Sequence, residues 1–213
     1  IGRALVAALR ADGVAVTRLV RRPAQAADEI AWDPGREPLH PDVLAGARAV
    51  VGLNGATLGR FPWTKRYQHE LVWSRIAPTQ ALAAAVRRLG EDAPAFVSAS
   101  AVGYYPSGRG MELTEDAPRG ESFLADLCGE WEAAAQRGDE ADGEEGQRNP
   151  GARRAICCRM PGQQGKDVGQ CALVLVVRAK RHPTFRPYRR QAAHQAAHTR
   201  VTLQCMNKWM QAR

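Results

Sequence analysis

The sequence predicts an α/β fold built on a doubly wound parallel sheet. Two observations predict it. Short, β-branched strands alternate with amphipathic helices through the first 136 residues, and such alternation favours parallel strands joined by crossover helices. Three short polar or small-residue segments follow the strands: Arg21-Arg22, Asn54-Gly55-Ala56 and Ser98-Ala-Ser-Ala-Val-Gly-Tyr-Tyr105. In sheets of this kind ligands sit at the carboxyl ends of the strands, so these segments, Ser98 included, are the candidate site.

The elements follow in order. Ile1, Leu5 and Leu9 recur every four residues with Arg3, Arg10 and Asp12 between them, which predicts an amphipathic helix stopped by Gly13. Val14–Val20 is short and β-branched, a strand. A turn-rich stretch with Trp32-Asp33-Pro34-Gly35 comes next. Ala47–Leu53 is a second strand, running into Asn54-Gly55. Residues 64–89 read as helix, which Pro78 is expected to kink or split because it lacks an N–H and crowds the preceding turn. Pro94–Ser98 is a third strand. Phe123, Leu127 and Trp131 share one face of a helix running to about Gln136.

Charge divides the 213 residues unevenly. Residues 1–136 carry 15 Lys+Arg against 16 Asp+Glu, whereas from Gly151 onward 13 basic residues face one acid, Asp167. The basic excess is mostly Arg (26 of the 30 basic residues), a bias that GC-rich coding DNA also produces, so it argues only weakly for nucleic acid. Binding of an anionic polymer through the tail is the minor alternative: Arg186, Arg189 and Arg190 lie near Phe185 and Tyr188. No apolar run is long enough for a membrane helix; the longest, Cys171–Val177, has seven residues. Five cysteines without a CxxC pair predict reduced thiols and a cytoplasmic setting. His194 and His198 have helical metal-ligand spacing but no third ligand nearby, and no metal is predicted.

Taken together, Val50-Val-Gly-Leu-Asn-Gly-Ala56, Trp63-Thr64, Ser74-Arg75, Ser98–Tyr105, Leu113-Thr-Glu115 and Trp131-Glu-Ala-Ala-Ala135 stand in an order that resembles the nucleoside-diphosphate-sugar epimerase-like family of extended short-chain dehydrogenases/reductases. The resemblance covers roughly residues 1–136. It implies a Rossmann-like fold and a nicotinamide dinucleotide site. Gly2 matches the last glycine of the family's phosphate-binding fingerprint, the one that lets helix and strand pack closely. Arg21 stands where the family carries an Arg after its second strand. A guanidinium there suits a 2′-phosphate, which favours NADP over NAD, with NAD possible. Asn54-Gly55-Ala56 matches a turn usually written Ala-Gly, so Asn54 puts an amide where a methyl is expected. Ser100 matches the Ser that orients a substrate oxygen. The Tyr and Lys positions of the usual acid/base pair hold Leu124 and Cys128, leaving Tyr104 and Tyr105 as candidate phenols.

The resemblance implies an NADP(H)-binding epimerase or oxidoreductase acting on a small or nucleotide-linked substrate. A non-catalytic dinucleotide sensor or scaffold is the alternative, favoured by loss of the Tyr/Lys pair. Three regions are expected: a partial dinucleotide-binding domain over 1–136, a linker over 137–152 and a divergent basic tail over 153–213. The sheet is expected to be incomplete and the tail poorly structured. Because Ile1-Gly2-Arg3 opens a helix directly, the chain reads as a fragment.

Overall fold

The computed structural model describes residues 1–107, 113–114, 116–136, 156–160 and 174–178. The expected linker, the histidine pair and the Arg/aromatic group near 185–190 lie outside the described residues. The chain divides into two compact units. In the first, the helix α1 (Gly2–Ala11) buries Gly2 and Val6, carries Arg10 in its last turn, and is followed by Gly13 at φ 69°. That left-handed cap suits glycine, and a basic last turn complements the helix dipole.

The second unit, Val16–Arg178, holds the sheet. Its strands are β1 (Ala15–Val20), β2 (Glu29–Ala31), β3 (Ala49–Gly52), β4 (Ala95–Ala101), β5 (Ile156–Met160) and β6 (Val174–Arg178), in the order β2-β1-β6-β3-β4-β5. Pairs β1–β2, β3–β4 and β4–β5 are parallel. β6 pairs with β3 antiparallel, Gly52 opposite Val174 and Ala49 opposite Val177. The sheet is therefore mixed rather than all parallel. From β1 the chain steps outward to β2, and from β3 it steps the other way through β4 to β5. β6 occupies the position where the order reverses, the place where ligands bind in doubly wound sheets. It comes from the apolar run of the basic stretch. Val174, Leu175 and Val176 are buried on alternate faces of the sheet, and such residues contribute about 1.5–3 kcal/mol each on burial. Arg178 fastens its far end, donating to the carbonyls of Val43 and Ala45 at 2.9 and 3.0 Å.

Among the described residues two α-helices belong to this unit, α2 (Lys65–Arg88) and α3 (Phe123–Gln136). The main core joins Leu82, Val86 and Ala83 of α2 to Val50, Phe96, Val174 and Val176 of the sheet. A second cluster packs Tyr67 and Leu71 of α2 against Leu127 of α3 and Ala56. Trp131 crosses between the helices and donates its indole N–H to Thr79 Oγ1 at 2.9 Å. Contrary to the sequence expectation, α2 runs unbroken through Pro78, and the reason lies in the site described next.

Candidate functional site

A cleft opens at the carboxyl ends of β1 and β3. Its lining includes Leu19, Arg21, Trp32, Asn54, Gly55, Ala56 and Ser74, with Val174 at the start of β6. Because β6 runs antiparallel, its first residue meets the last residues of β1 and β3 at one end of the sheet. Of the predicted residues, the cleft brings together Arg21, Asn54, Gly55 and Ala56.

The two arginines after β1 differ in environment. Arg22 forms a double hydrogen bond with Glu29, both contacts at 2.8 Å. Glu29 also accepts from the Gln25 N–H at 2.8 Å and pairs with Arg18 at 3.1 Å. Arg22, then the Gln25 amide, hold the Glu29 carboxyl down to about 2. Arg21 has no carboxylate partner among the described residues. Its guanidinium lies 5.4 Å from the Trp73 ring, at the cleft. Trp73 rests on Gly35, where an added Cβ would lie 2.6 Å from the ring. The Asp33 carboxylate turns that corner by accepting from the Gly35 N–H at 3.1 Å. Thus the Trp32-Asp33-Pro34-Gly35 turn makes the room in which Trp73 carries Arg21.

The turn after β3 is bolted to α2. Asn54 Nδ2 donates to the carbonyls of Ser74 at 3.1 Å and Arg75 at 3.3 Å. Pro78 has no N–H to give the carbonyl four residues earlier, which is that of Ser74. The Asn54 amide supplies the missing donor, so α2 passes through Pro78 without an orphaned carbonyl. Here the amide in place of the expected methyl has its physical account. Ala56 N–H donates to Ser74 Oγ at 2.9 Å, and Arg75 Nη2 donates to the Ala56 carbonyl at 3.0 Å. Gly55 sits at φ 154°, and a Cβ there would lie 2.9 Å from Arg75 Cζ. Arg75 is buried with backbone carbonyls and the Trp131 ring as partners. Burial pushes its pKa down. Asn54 Oδ1 is buried without a hydrogen-bond partner among the described residues, in a residue that lines the cleft.

The other predicted residues lie elsewhere. Ser98 and Ser100 fall within β4, two residues apart and buried on one face, rather than in the turn after it. Small hydroxyls fit where α3 packs on the strand. Ser100 Oγ donates to Glu132 Oε1 of α3 at 2.6 Å, a charge-assisted length. Tyr104 and Tyr105 follow in a short 3-10 turn, half-buried and edge-to-face at 5.4 Å. The Gly103 Cα packs on Leu124, where an added Cβ would be 3.3 Å from the Leu124 Cβ. Cys128 is buried and its thiol is pushed up by burial, so it is a poor nucleophile. Gly2 lies in α1 of the first unit. No His/Cys/Asp/Glu group fit to hold a metal occurs among the described residues.

No family model matches the chain. The epimerase family protein ML0860 of Mycobacterium leprae is 42% identical over 134 residues, 63% of this chain and 43% of that protein. About two thirds of the chain is homologous to the epimerase family proteins. The crystal structure of human epimerase family protein SDR39U1, isoform 2, with NADPH aligns at TM-score 0.57 and 30% identity, over 74% of this chain and 49% of that one. MoeE5 in complex with UDP-glucose and NAD aligns at TM-score 0.54 and 25% identity, over 73% and 48%. The epimerase-like resemblance and the Rossmann-like fold are thereby borne out. The chain spans less than half the length of the curated relative it matches.

Proposed function

We propose that the cleft holds NADP(H), with Arg21 at the 2′-phosphate, and that the chain serves an epimerase- or oxidoreductase-like reaction on a nucleotide-linked substrate. The observation that carries this reading is the contrast between the arginines: Arg22 is neutralised by Glu29, whereas Arg21 brings to the cleft a cation with no carboxylate partner among the described residues. The residues fit such a ligand. Gly55 and Ala56 offer little side chain between backbone and ligand, and the orphaned Asn54 Oδ1 is an acceptor that a ligand hydroxyl or amide satisfies. SDR39U1 with NADPH and MoeE5 with UDP-glucose and NAD support the ligand class and the substrate class.

When bound, the nicotinamide supplies the hydride donor or acceptor. The chain's own part is the proton. Ser100 commits its hydroxyl proton to Glu132, so Ser100 Oγ is left to accept from a substrate hydroxyl while Glu132 takes the serine proton. Tyr104 and Tyr105 flank that end of β4. The partner is a small molecule; no described helix is long and apolar enough to cross a membrane.

The test is a fluorescence titration of the full chain with NADPH. Arg21→Ala should weaken binding about tenfold to hundredfold, the worth of a charge-assisted pair. Arg22→Ala should leave it within about twofold. Equal losses for both variants, or no saturable binding, would sink the reading. Retained NADPH binding with no Ser100-dependent turnover would favour a sensor.

A further inference from the structure

We propose that the segment Arg60–Arg66 is a seat for one nucleotide, a nucleobase stacked on Phe61 with its phosphates held by Arg60, Lys65 and Arg66. Phe61 is 78% exposed, the most exposed large apolar side chain among the described residues. It is not splayed outward. Its ring stacks on Trp63 at 5.1 Å with an interplanar angle of 24°, and Trp63 in turn leans on Phe123 at 6.1 Å. The platform is anchored from below. Trp63 Nε1 donates to the Leu58 carbonyl at 3.2 Å, and Tyr67 Oη donates to the Thr57 carbonyl at 2.6 Å. One broad ring face is therefore held open to solvent by a fixed support.

Charge narrows the occupant. Arg60, Lys65 and Arg66 are exposed and lack a carboxylate partner among the described residues, and the first turn of α2 holds no acid. The Arg60 guanidinium lies over the Tyr67 ring, at 5.1 Å. A planar ring beside a cluster of unpaired cations complements a planar, negatively charged ligand, because every base has a π-face and its phosphates need cations. A single open face suits a single base, whereas a nucleic-acid strand needs a row of them and a membrane-inserting loop needs apolar rings pointing outward together. Position fits as well. Lys65 lies five residues before Glu70, which lines the cleft, or about 8 Å along α2. The seat would thus hold the nucleotide half of a sugar nucleotide beside the dinucleotide cleft. Its role rests on the reading given under Proposed function, but its binding does not.

Calorimetry on the full chain tests it, with UDP, ADP, uridine and pyrophosphate as probes. UDP or ADP should bind saturably, and uridine and pyrophosphate each more weakly. Phe61→Ala should weaken the nucleotide by about tenfold to hundredfold, with Phe61→Trp restoring it and NADPH affinity unchanged in both. Lys65→Ala/Arg66→Ala should clearly reduce the salt dependence of the UDP affinity, leaving the share that Arg60 supplies. The seat is overturned if UDP and ADP fail to bind, if Phe61→Ala binds them as the parent does, or if only polyuridylate or anionic phosphatidylserine vesicles bind. Loss of NADPH binding with UDP binding kept would strike the cleft reading alone.

Discussion

Asn54 shows how one residue can make another tolerable. Pro78 removes the amide that should reach the Ser74 carbonyl, and Asn54 Nδ2 replaces it at 3.1 Å. Asn54→Ala should cost about 1–3 kcal/mol in urea unfolding, the penalty of a buried unsatisfied carbonyl. Pro78→Ala restores the backbone donor and should recover most of that loss. A double-mutant cycle reads the coupling; additive effects would show that the two residues act separately. Neither residue announces the pair. The amide and the proline are separated by 24 positions in sequence, and periodicity carries no information about such a contact. The same blindness hid Glu132, which the 2.6 Å bond to Ser100 brings into the candidate site. Glu132→Ala should free the Ser100 proton and, by removing a hydrogen bond to a charged group, cost about 1.5–3 kcal/mol. A thermal or urea melt unchanged by that substitution would mean that the contact is incidental.

At the scale of elements, local pattern read well. Strands expected at 14–20, 47–53 and 94–98 occupy 15–20, 49–52 and 95–101, and the long helix expected at 64–89 occupies 65–88. The overrun of β4 through Ser100 has a cause: small residues continue a strand where a helix packs on it, and composition alone reads Ser-Ala-Ser as a turn. Ion pairs between β1 and β2 were not legible, since the acid and base that meet lie on different strands. They carry a pH signature. Glu29 falls from an ordinary 4.5 to about 2 in the folded chain, so its stabilisation is complete above 4.5 and is lost as pH drops toward 2. Glu29→Gln should flatten the acid limb of a urea-stability profile between those values. A limb of unchanged steepness would assign the acid sensitivity to other carboxylates. The turn at Gly35 supports Arg21 from the other side. Gly35→Ala should displace Trp73 and weaken NADPH at least severalfold with little change in the folded core; unaltered affinity would mean that Trp73 does not carry Arg21.

For the whole molecule, the front of the chain and its basic remainder are less separate than their charges suggest. The net-basic stretch after residue 150 supplies β6, which lies between β1 and β3 at the point where the strand order reverses. The apolar run Cys171–Val177 was visible in the sequence, but its slot in the sheet depends on partners more than 120 residues away. Val176→Asp places an unpaired charge in that slot and should cost about 4 kcal/mol or more, seen as a large fall in the denaturation midpoint. A small effect would mean that the sheet stands without β6.

A dinucleotide held in the cleft beside β6 through its 2′-phosphate on Arg21 is read out by a paired titration of the full chain with NADPH and NADH under one buffer. Both should bind saturably, NADPH tighter by about tenfold or more, with that margin abolished in Arg21→Ala. Equal affinities for the two cofactors in the parent chain would contradict it.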